Sequence, residues 1–186
     1  MRAVVQRVTS ASVVVEERTI GSIGQGYLIL LGVGEGDTRE VAQKLWAKIR
    51  DLRIMPDDAG KTNRSLADVS GEVLVVSQFT LYADCRHGRR PSFTAAGAPA
   101  LANELYEYFC ELVRADMGAV QTGSFGADMS VSLVNDGPFT IVLDTDELEG
   151  STKTRGARLH TSPRLSSQHL HKMCNLHLSL LQFIRL

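Results

Sequence analysis

Residues 129–144 read MSVSLVNDGPFTIVLD, a strand-forming run with Gly137-Pro138 near its middle. Proline lacks the donor a central strand needs, and glycine weakens a strand. A chain carrying this pair must turn, bulge or end its strand there. Two readings stand side by side. One is a tight turn between MSVSLV and FTIVLD, because Asp-Gly is a hairpin signal and Gly-Pro marks turns. The other is a rigid element, poor in side chains, that offers its main chain to a ligand. An X-Pro bond can take the cis form at modest cost, which sends the adjacent carbonyls in unusual directions.

The rest of the chain supplies a frame for that run. RAVVQRV and SASVVVEE are two β-branched runs separated by Thr9-Ser10, which predicts an antiparallel pair. RTIGSIGQG supplies turn glycines, and the continuous apolarity of YLILLGVG predicts a buried strand. Asp37, with Glu40 three residues on, has the form of a capping box. In the helix that follows, Val41, Leu45, Ile49 and Leu52 fall on one face. LRIM predicts a short strand ended by the turn cluster PDDAGKTN, and GEVLVVSQFTLYADC a long one. After a basic loop, Pro99 opens a second helix with the stripe Leu101, Leu105, Phe109 and Leu112. AVQTGSFG, MSVSLVN and FTIVLDT are three further strand candidates. Strands outnumber helices and do not alternate with them as βαβ units. The expected class is therefore α+β: a compact, barrel-like mixed or antiparallel sheet with two main helices on one side.

Charge divides the chain. The net charge of −1 combines 14 Lys and Arg against 21 Asp and Glu up to Gly150, which is −7, with six Lys and Arg and no acid beyond it. Four of the five histidines also lie beyond Gly150. Such a break marks a boundary. Residues 1–148 form the expected domain, and 149–186 a basic, His-rich tail expected to be poorly ordered, as termini often are. In the tail, His169, His171, Cys174 and His177 have spacings a metal could use, but they match no known zinc motif, and short motifs of this kind are often false positives. Nothing in the chain approaches the length of an apolar membrane span, and no secretory leader opens it. Three widely spaced cysteines, Cys85, Cys110 and Cys174, fit free thiols in a reducing compartment, so the expected location is cytoplasmic.

The usual nucleophile systems are missing. There is no G-x-S-x-G elbow, Walker loop, H-E-x-x-H or C-x-x-C motif. His87 is the one histidine of the acidic body, and it sits in a basic loop. An enzyme of this composition must act on a substrate that is already labile. Two segments are candidates. SQFTLYA places Ser77, Gln78, Phe79 and Thr80 at the end of the apolar VLVV run, where they either satisfy backbone groups or offer a hydroxyl, an amide and N–H groups to a ligand. Period-two geometry puts Gln78 and Thr80 on one face. CRHGRRPSF gathers Arg86, Arg89 and Arg90 around a glycine, either as a solvated loop or as a focused contact with phosphates. The −7 body argues against broad nucleic-acid binding, so the end of an RNA fits better than a duplex groove.

SQFTLYA combined with NDGPFT resembles the two hallmark segments of the D-aminoacyl-tRNA deacylase family. MRAVVQRV, GRRPSF and SVSLVNDGPFTIVLDT match that family as well, so the resemblance covers about residues 1–147. It implies a homodimer that hydrolyses the ester between a D-amino acid and tRNA, without cofactor or metal. It also implies that Gly137-Pro138 is cis and reaches, with Asn135 in the same motif, into the partner's pocket. There Ser77, Gln78, Phe79 and Thr80 would line the catalytic site, with Arg86, Arg89 and Arg90 near the tRNA acceptor end.

The mechanism this implies needs no base. The aminoacyl ester is activated, the neighbouring ribose 2′-hydroxyl can assist attack, and the N–H groups of Phe79 and Thr80, helped by Gln78, can hold the oxyanion. Thr80 as direct nucleophile is the alternative. A filter that reads Cα with main-chain carbonyls rejects L side chains by collision. Achiral glycine should pass it, so glycyl-tRNA mischarged on tRNA(Ala) is an expected second substrate. A non-catalytic RNA- or DNA-binding protein on the same scaffold is the competing class, and a metal-dependent hydrolase built on the tail cluster is a third.

Overall fold

The structure, a computed structural model, describes residues 1–150, with side chains through residue 148. In chain order it runs β1 (Arg2–Val15), β2 (Arg18–Ile23), β3 (Gly26–Gly32), α1 (Arg39–Arg50), β4 (Met55–Pro56), β5 (Thr62–Arg64), β6 (Glu72–Ser77), α2 (Pro99–Met117), β7 (Gln121–Thr122), β8 (Ser130–Asp144) and α3 (Thr145–Gly150). Short 3-10 turns at Ala67–Val69 and Phe79–Tyr82 flank β6. The basic tail and its His169, His171, Cys174 and His177 lie outside the described residues.

β1 organises the sheet. Antiparallel β8 runs beside it on one edge, from Arg2↔Asp144 to Val14↔Ser130. On the other edge β1 pairs first with β3, through Arg2–Val8, and then with β2, through Ala11–Val15. The two β-branched runs expected to form a hairpin are thus one strand. Thr9-Ser10 has no Gly, Pro, Asn or Asp to reverse the chain; it is the exposed point where one neighbour hands over to the next. The reversal comes later, at Glu16-Glu17, whose positive φ values of 47° and 65° suit a hairpin turn.

The sheet order is β2-β1-β3-β6-β7, with β8 also on β1; β3, β6 and β7 run parallel and the other pairings are antiparallel. The sheet curls towards closure. At Gly21, in β2 rather than in a turn, an added Cβ would stand 3.0 Å from the carbonyl oxygen of Thr122 in β7. The result is the expected barrel-like mixed sheet with two main helices and the short α3.

Both faces of the curl are filled. Inside it, Val8, Ala11, Val13, Ile23, Leu28, Leu74 and Val76 form one apolar cluster. Against the outer face pack α1, through Leu45, Trp46 and Ile49, and α2, through Leu105, Tyr106, Phe109 and Val113. This double burial explains why β3 reads as an unbroken apolar run. Each large apolar side chain removed from water contributes roughly 1.5–3 kcal/mol. The two helices are cross-tied where the Trp46 indole N–H donates to Asp116 at 2.8 Å and its ring meets Phe109 edge-on at 5.9 Å.

The N-cap of α1 is Thr38, which accepts from the Val41 N–H at 3.4 Å, and not Asp37. Asp37 has stronger partners: the Met1 ammonium at 2.7 Å and the Gly34 N–H at 2.6 Å. A buried ammonium binds a carboxylate more strongly than a neutral helix N–H does.

Candidate active site

β6 carries the first candidate segment, but it ends sooner than its sequence suggests. Its last ladder partner is Leu31↔Ser77, and the Gln78 N–H donates to the Leu31 carbonyl at 2.7 Å. There the parallel neighbour β3 is nearly spent, and the chain closes into the 3-10 turn Phe79–Tyr82. The long strand through Cys85 is overturned, and with it the period-two geometry expected to place Gln78 and Thr80 on one face, although their side chains still meet. Loss of a pairing partner replaces period-two geometry with a helical turn that satisfies itself locally, Leu81 N–H to Gln78 O and Ala83 N–H to Thr80 O.

That turn exposes useful main chain. Its first two N–H groups, on Phe79 and Thr80, have no acceptor among the described residues, and no side chain caps them. Such groups at a helix start are unpaired by geometry. The Gln78 amide N–H donates to the Thr80 hydroxyl oxygen, so Gln78 and Thr80 are locked to one another. No described carboxylate or imidazole accepts from the Thr80 hydroxyl. His87 is exposed and makes no hydrogen bond or ion pair among the described residues.

Beside this turn lies a cavity of about 910 Å³. Ser77, Gln78 and Phe79 form one wall, Phe93 and Gly97 come from the loop before α2, and Met129 from the loop before β8. Phe79, 56% exposed, meets Phe93 at 5.0 Å between centroids, so two rings stand at the mouth. Thr80 is exposed and does not line the cavity. Asp128, which sequence reasoning missed, is the one ionisable residue of the lining among the described residues.

Gly137-Pro138 does not make a hairpin. Both halves of the run pair with the same strand: Asn135 opposes Val8 and Thr140 opposes Gln6, so Asp136–Phe139 bulge out opposite Arg7 alone. β8 is one strand with an outward loop, where two strands joined by a turn stood as an alternative. The peptide bond is cis, and both residues are exposed. Their carbonyls fall outside the ladder.

Two side chains hold the bulge. The Asn135 amide closes it like a clasp: its oxygen accepts from the Phe139 N–H at 2.6 Å and its nitrogen donates to the Phe139 carbonyl at 3.2 Å. Arg7 fills it from below. Its Nε reaches the Asp136 carbonyl at 3.1 Å and carboxylate at 3.0 Å, its Nη1 reaches the Ile54 carbonyl at 2.6 Å, and its guanidinium faces the Phe139 ring at 5.0 Å. Arg7 also escaped sequence reasoning, although a signal existed. Ala3, Val5 and Arg7 share one buried phase of β1, and a charge on a buried face needs built partners. Within one chain the bulge and the cavity are apart: Gly137 and Pro138 are not among the cavity's lining residues.

The arginine loop divides. Asp84 and Ser92 exchange backbone hydrogen bonds at 2.7 and 2.9 Å, closing the loop at its base. Arg86 folds back on Asp84 through two bonds of 2.9 and 2.7 Å, and this hydrogen bonding holds the Asp84 carboxyl down at about 2. Arg89 and Arg90 are exposed and have no partner among the described residues. No helix among the described residues is long and apolar enough to cross a membrane.

The sequence model of the D-Tyr-tRNA(Tyr) deacylase family matches residues 4–144. A D-aminoacyl-tRNA deacylase of Thermotoga petrophila is 56% identical over 148 residues, 80% of this chain and 99% of its own length. One from Roseiflexus castenholzii is 60% identical over 146 residues, 78% of this chain and 92% of its own. Among solved structures, a c-Myc DNA unwinding element binding protein superposes with a TM-score of 0.74 at 41% identity, covering 77% of this chain and 98% of that one. A probable eukaryotic D-amino acid tRNA deacylase, 18% identical with a TM-score of 0.70, shares the fold.

Proposed function

This chain belongs to the D-Tyr-tRNA(Tyr) deacylase family, and on that premise we propose that it removes D-amino acids from tRNA by main-chain electrostatics, with no side-chain base. It is a D-aminoacyl-tRNA deacylase, a hydrolase acting on carboxylic ester bonds. The observation that carries the mechanism is the pair of unpaired N–H groups, Phe79 and Thr80, beside a cavity whose lining among the described residues holds no histidine, cysteine or lysine.

The ester enters the cavity with its carbonyl oxygen against those N–H groups. Water adds to the carbonyl carbon, assisted by the ribose 2′-hydroxyl, and the oxyanion is held by the two donors and the Gln78 amide. Collapse releases the free D-amino acid and the tRNA 3′-hydroxyl. One well-placed donor is worth roughly 3–4 kcal/mol in the transition state. Thr80 acts by positioning Gln78, because its own hydroxyl faces no base.

Gly137-Pro138 is the chirality filter, and it acts in the partner of a homodimer. Three observations support this. The bulge is exposed and rigidly held, its carbonyls are outside the ladder, and it does not reach the cavity of its own chain. Val134 and Val142, on either side of the bulge in β8, are 57% and 71% exposed, as suits a face covered by a second copy. Glycyl-tRNA, including that mischarged on tRNA(Ala), has no side chain to collide with the filter and is also hydrolysed. Arg86, Arg89 and Arg90 meet the acceptor end of the tRNA. Matched D-, L- and glycyl-tRNA deacylation tests the reading, and sedimentation tests the dimer.

A nucleic-acid-binding protein without catalysis is the second reading, favoured by the name of the 41% identical solved structure. The −7 charge of residues 1–150 weighs against duplex binding. Deacylation of D-aminoacyl-tRNA separates the two.

A further inference from the structure

A second cavity, about 720 Å³, lies beside the first. Arg2, Tyr82, Asp84, Cys85, Arg86 and Thr94 line it. The two cavities share Thr94, and they occupy opposite ends of the same 3-10 turn, Phe79 at one and Tyr82 at the other. Three residues at the ~2 Å rise of a 3-10 helix separate those ends by about 6 Å, comparable to one nucleotide step along a single strand.

The charges here are already matched. Arg2 pairs with Asp144 at 2.8 Å and donates to the Leu81 carbonyl at 3.0 Å, while its guanidinium lies over the Tyr82 ring at 4.5 Å. Arg86 pairs with Asp84 and is otherwise exposed. A cavity with both signs fixed at its wall is poorly suited to a phosphate. It suits the edge of a base, which carries donors and acceptors side by side. Asp84 can accept from an exocyclic amine, as acidic residues do from cytosine N4. The N–H groups of Arg86 left free by Asp84 can donate to the adjacent N3 and O2. The Arg2 guanidinium, planar and backed by Tyr82, offers a surface for stacking.

We infer that this cavity is the subsite for the cytidine that precedes the terminal adenosine of the tRNA, read by Asp84 and Arg86. The inference rests on the deacylase reading, since it needs the aminoacyl adenosine in the first cavity. It gives the enzyme a check that the ester it cleaves is carried on a C-C-A end.

Two measurements test it. The first compares kcat/KM for D-tyrosyl-tRNA ending in C-C-A and in C-U-A. The native protein should favour C-C-A about tenfold, and Arg86→Ala, on a largely exposed side chain, should bring the ratio close to one. The second uses the Cys85 thiol as a reporter in the native protein: a C-C-A trinucleotide carrying a non-hydrolysable D-tyrosyl amide should slow its alkylation severalfold more than the C-U-A analogue. Equal kcat/KM for the two ends, an Arg86→Ala ratio as large as the native one, or equal protection by the two analogues would overturn the subsite. No deacylation of either tRNA would overturn the proposed function, and the protection experiment distinguishes that failure from failure of the subsite.

Discussion

Arg7 is packed directly against Gly137: a Cβ added at Gly137 would stand 2.8 Å from Arg7 Nη2. Gly137 has φ +121°, in the region that L side chains rarely adopt. The bulge that presents Gly137 and Pro138 is therefore built around one glycine and one arginine that fit each other.

Replacing Arg7 tests that fit. Arg7→Lys keeps the charge but not the planar fork that serves Asp136 and Ile54 together. Leaving buried acceptors unsatisfied costs on the order of 1–3 kcal/mol. A melting temperature lower by roughly 3–10 °C is expected, with D-tyrosyl-tRNA deacylation falling at least tenfold. An unchanged rate in a destabilised Arg7→Lys protein would show that the bulge does not depend on Arg7.

Thr80→Val asks what the hydroxyl does. It removes the acceptor of the Gln78 amide and leaves the two main-chain donors in place. A loss of about tenfold in single-turnover hydrolysis is expected. Near-total loss with tRNA binding intact would instead make Thr80 the nucleophile.

The two described cysteines should behave oppositely. Cys85 is exposed, whereas burial pushes the Cys110 thiol up to about 12. Alkylation of the folded protein at pH 8, mapped by mass spectrometry, should modify Cys85 and spare Cys110. The unfolded thiol ionises near its ordinary 9.0 while the folded one stays protonated. The Cys110 contribution to stability is thus complete below about pH 9 and is lost as the pH rises towards 12. Denaturant titrations at pH 8 and pH 10.5 should show lower stability at the higher pH for the native protein, and a smaller pH effect for Cys110→Ala.

Removal of residues 151–186 should leave deacylation and tRNA affinity within twofold, because the Thermotoga relative aligns over 99% of its own length with 148 residues. A chelator should likewise have no effect. A fall in activity with either treatment would give the tail, with its His169, His171, Cys174 and His177, a working role.

Much of this was legible in the sequence, for physical reasons. β3 and the helix stripes announce themselves because burial on a fixed face imposes a period. SQFTLYA and NDGPFT stood out because polar residues and a Gly-Pro pair are costly in strands and need a reason. What escaped depended on partners distant in sequence. Thr9-Ser10 looks like a break until β3 and β2 are seen sharing one strand. β6 stops at Ser77 because β3 gives out beside it, which no property of GEVLVVSQFTLYADC records. Asp37 fits a capping box by spacing alone, but Met1 claims it. Arg7 becomes intelligible only once the bulge that it holds together with Asn135 is visible.

The most direct test is deacylation of matched D-tyrosyl-, L-tyrosyl- and glycyl-tRNA by the native protein and by Gly137→Ala. The native protein should cleave the D and glycyl esters and leave the L ester at the spontaneous rate. Gly137→Ala, with a strained φ and Arg7 in its way, should lose at least a hundredfold in D-tyrosyl-tRNA cleavage while remaining folded. Cleavage of L-tyrosyl-tRNA as fast as its D counterpart, or a fully active and selective Gly137→Ala protein, would contradict the assignment of Gly137 and Pro138 as the chirality filter.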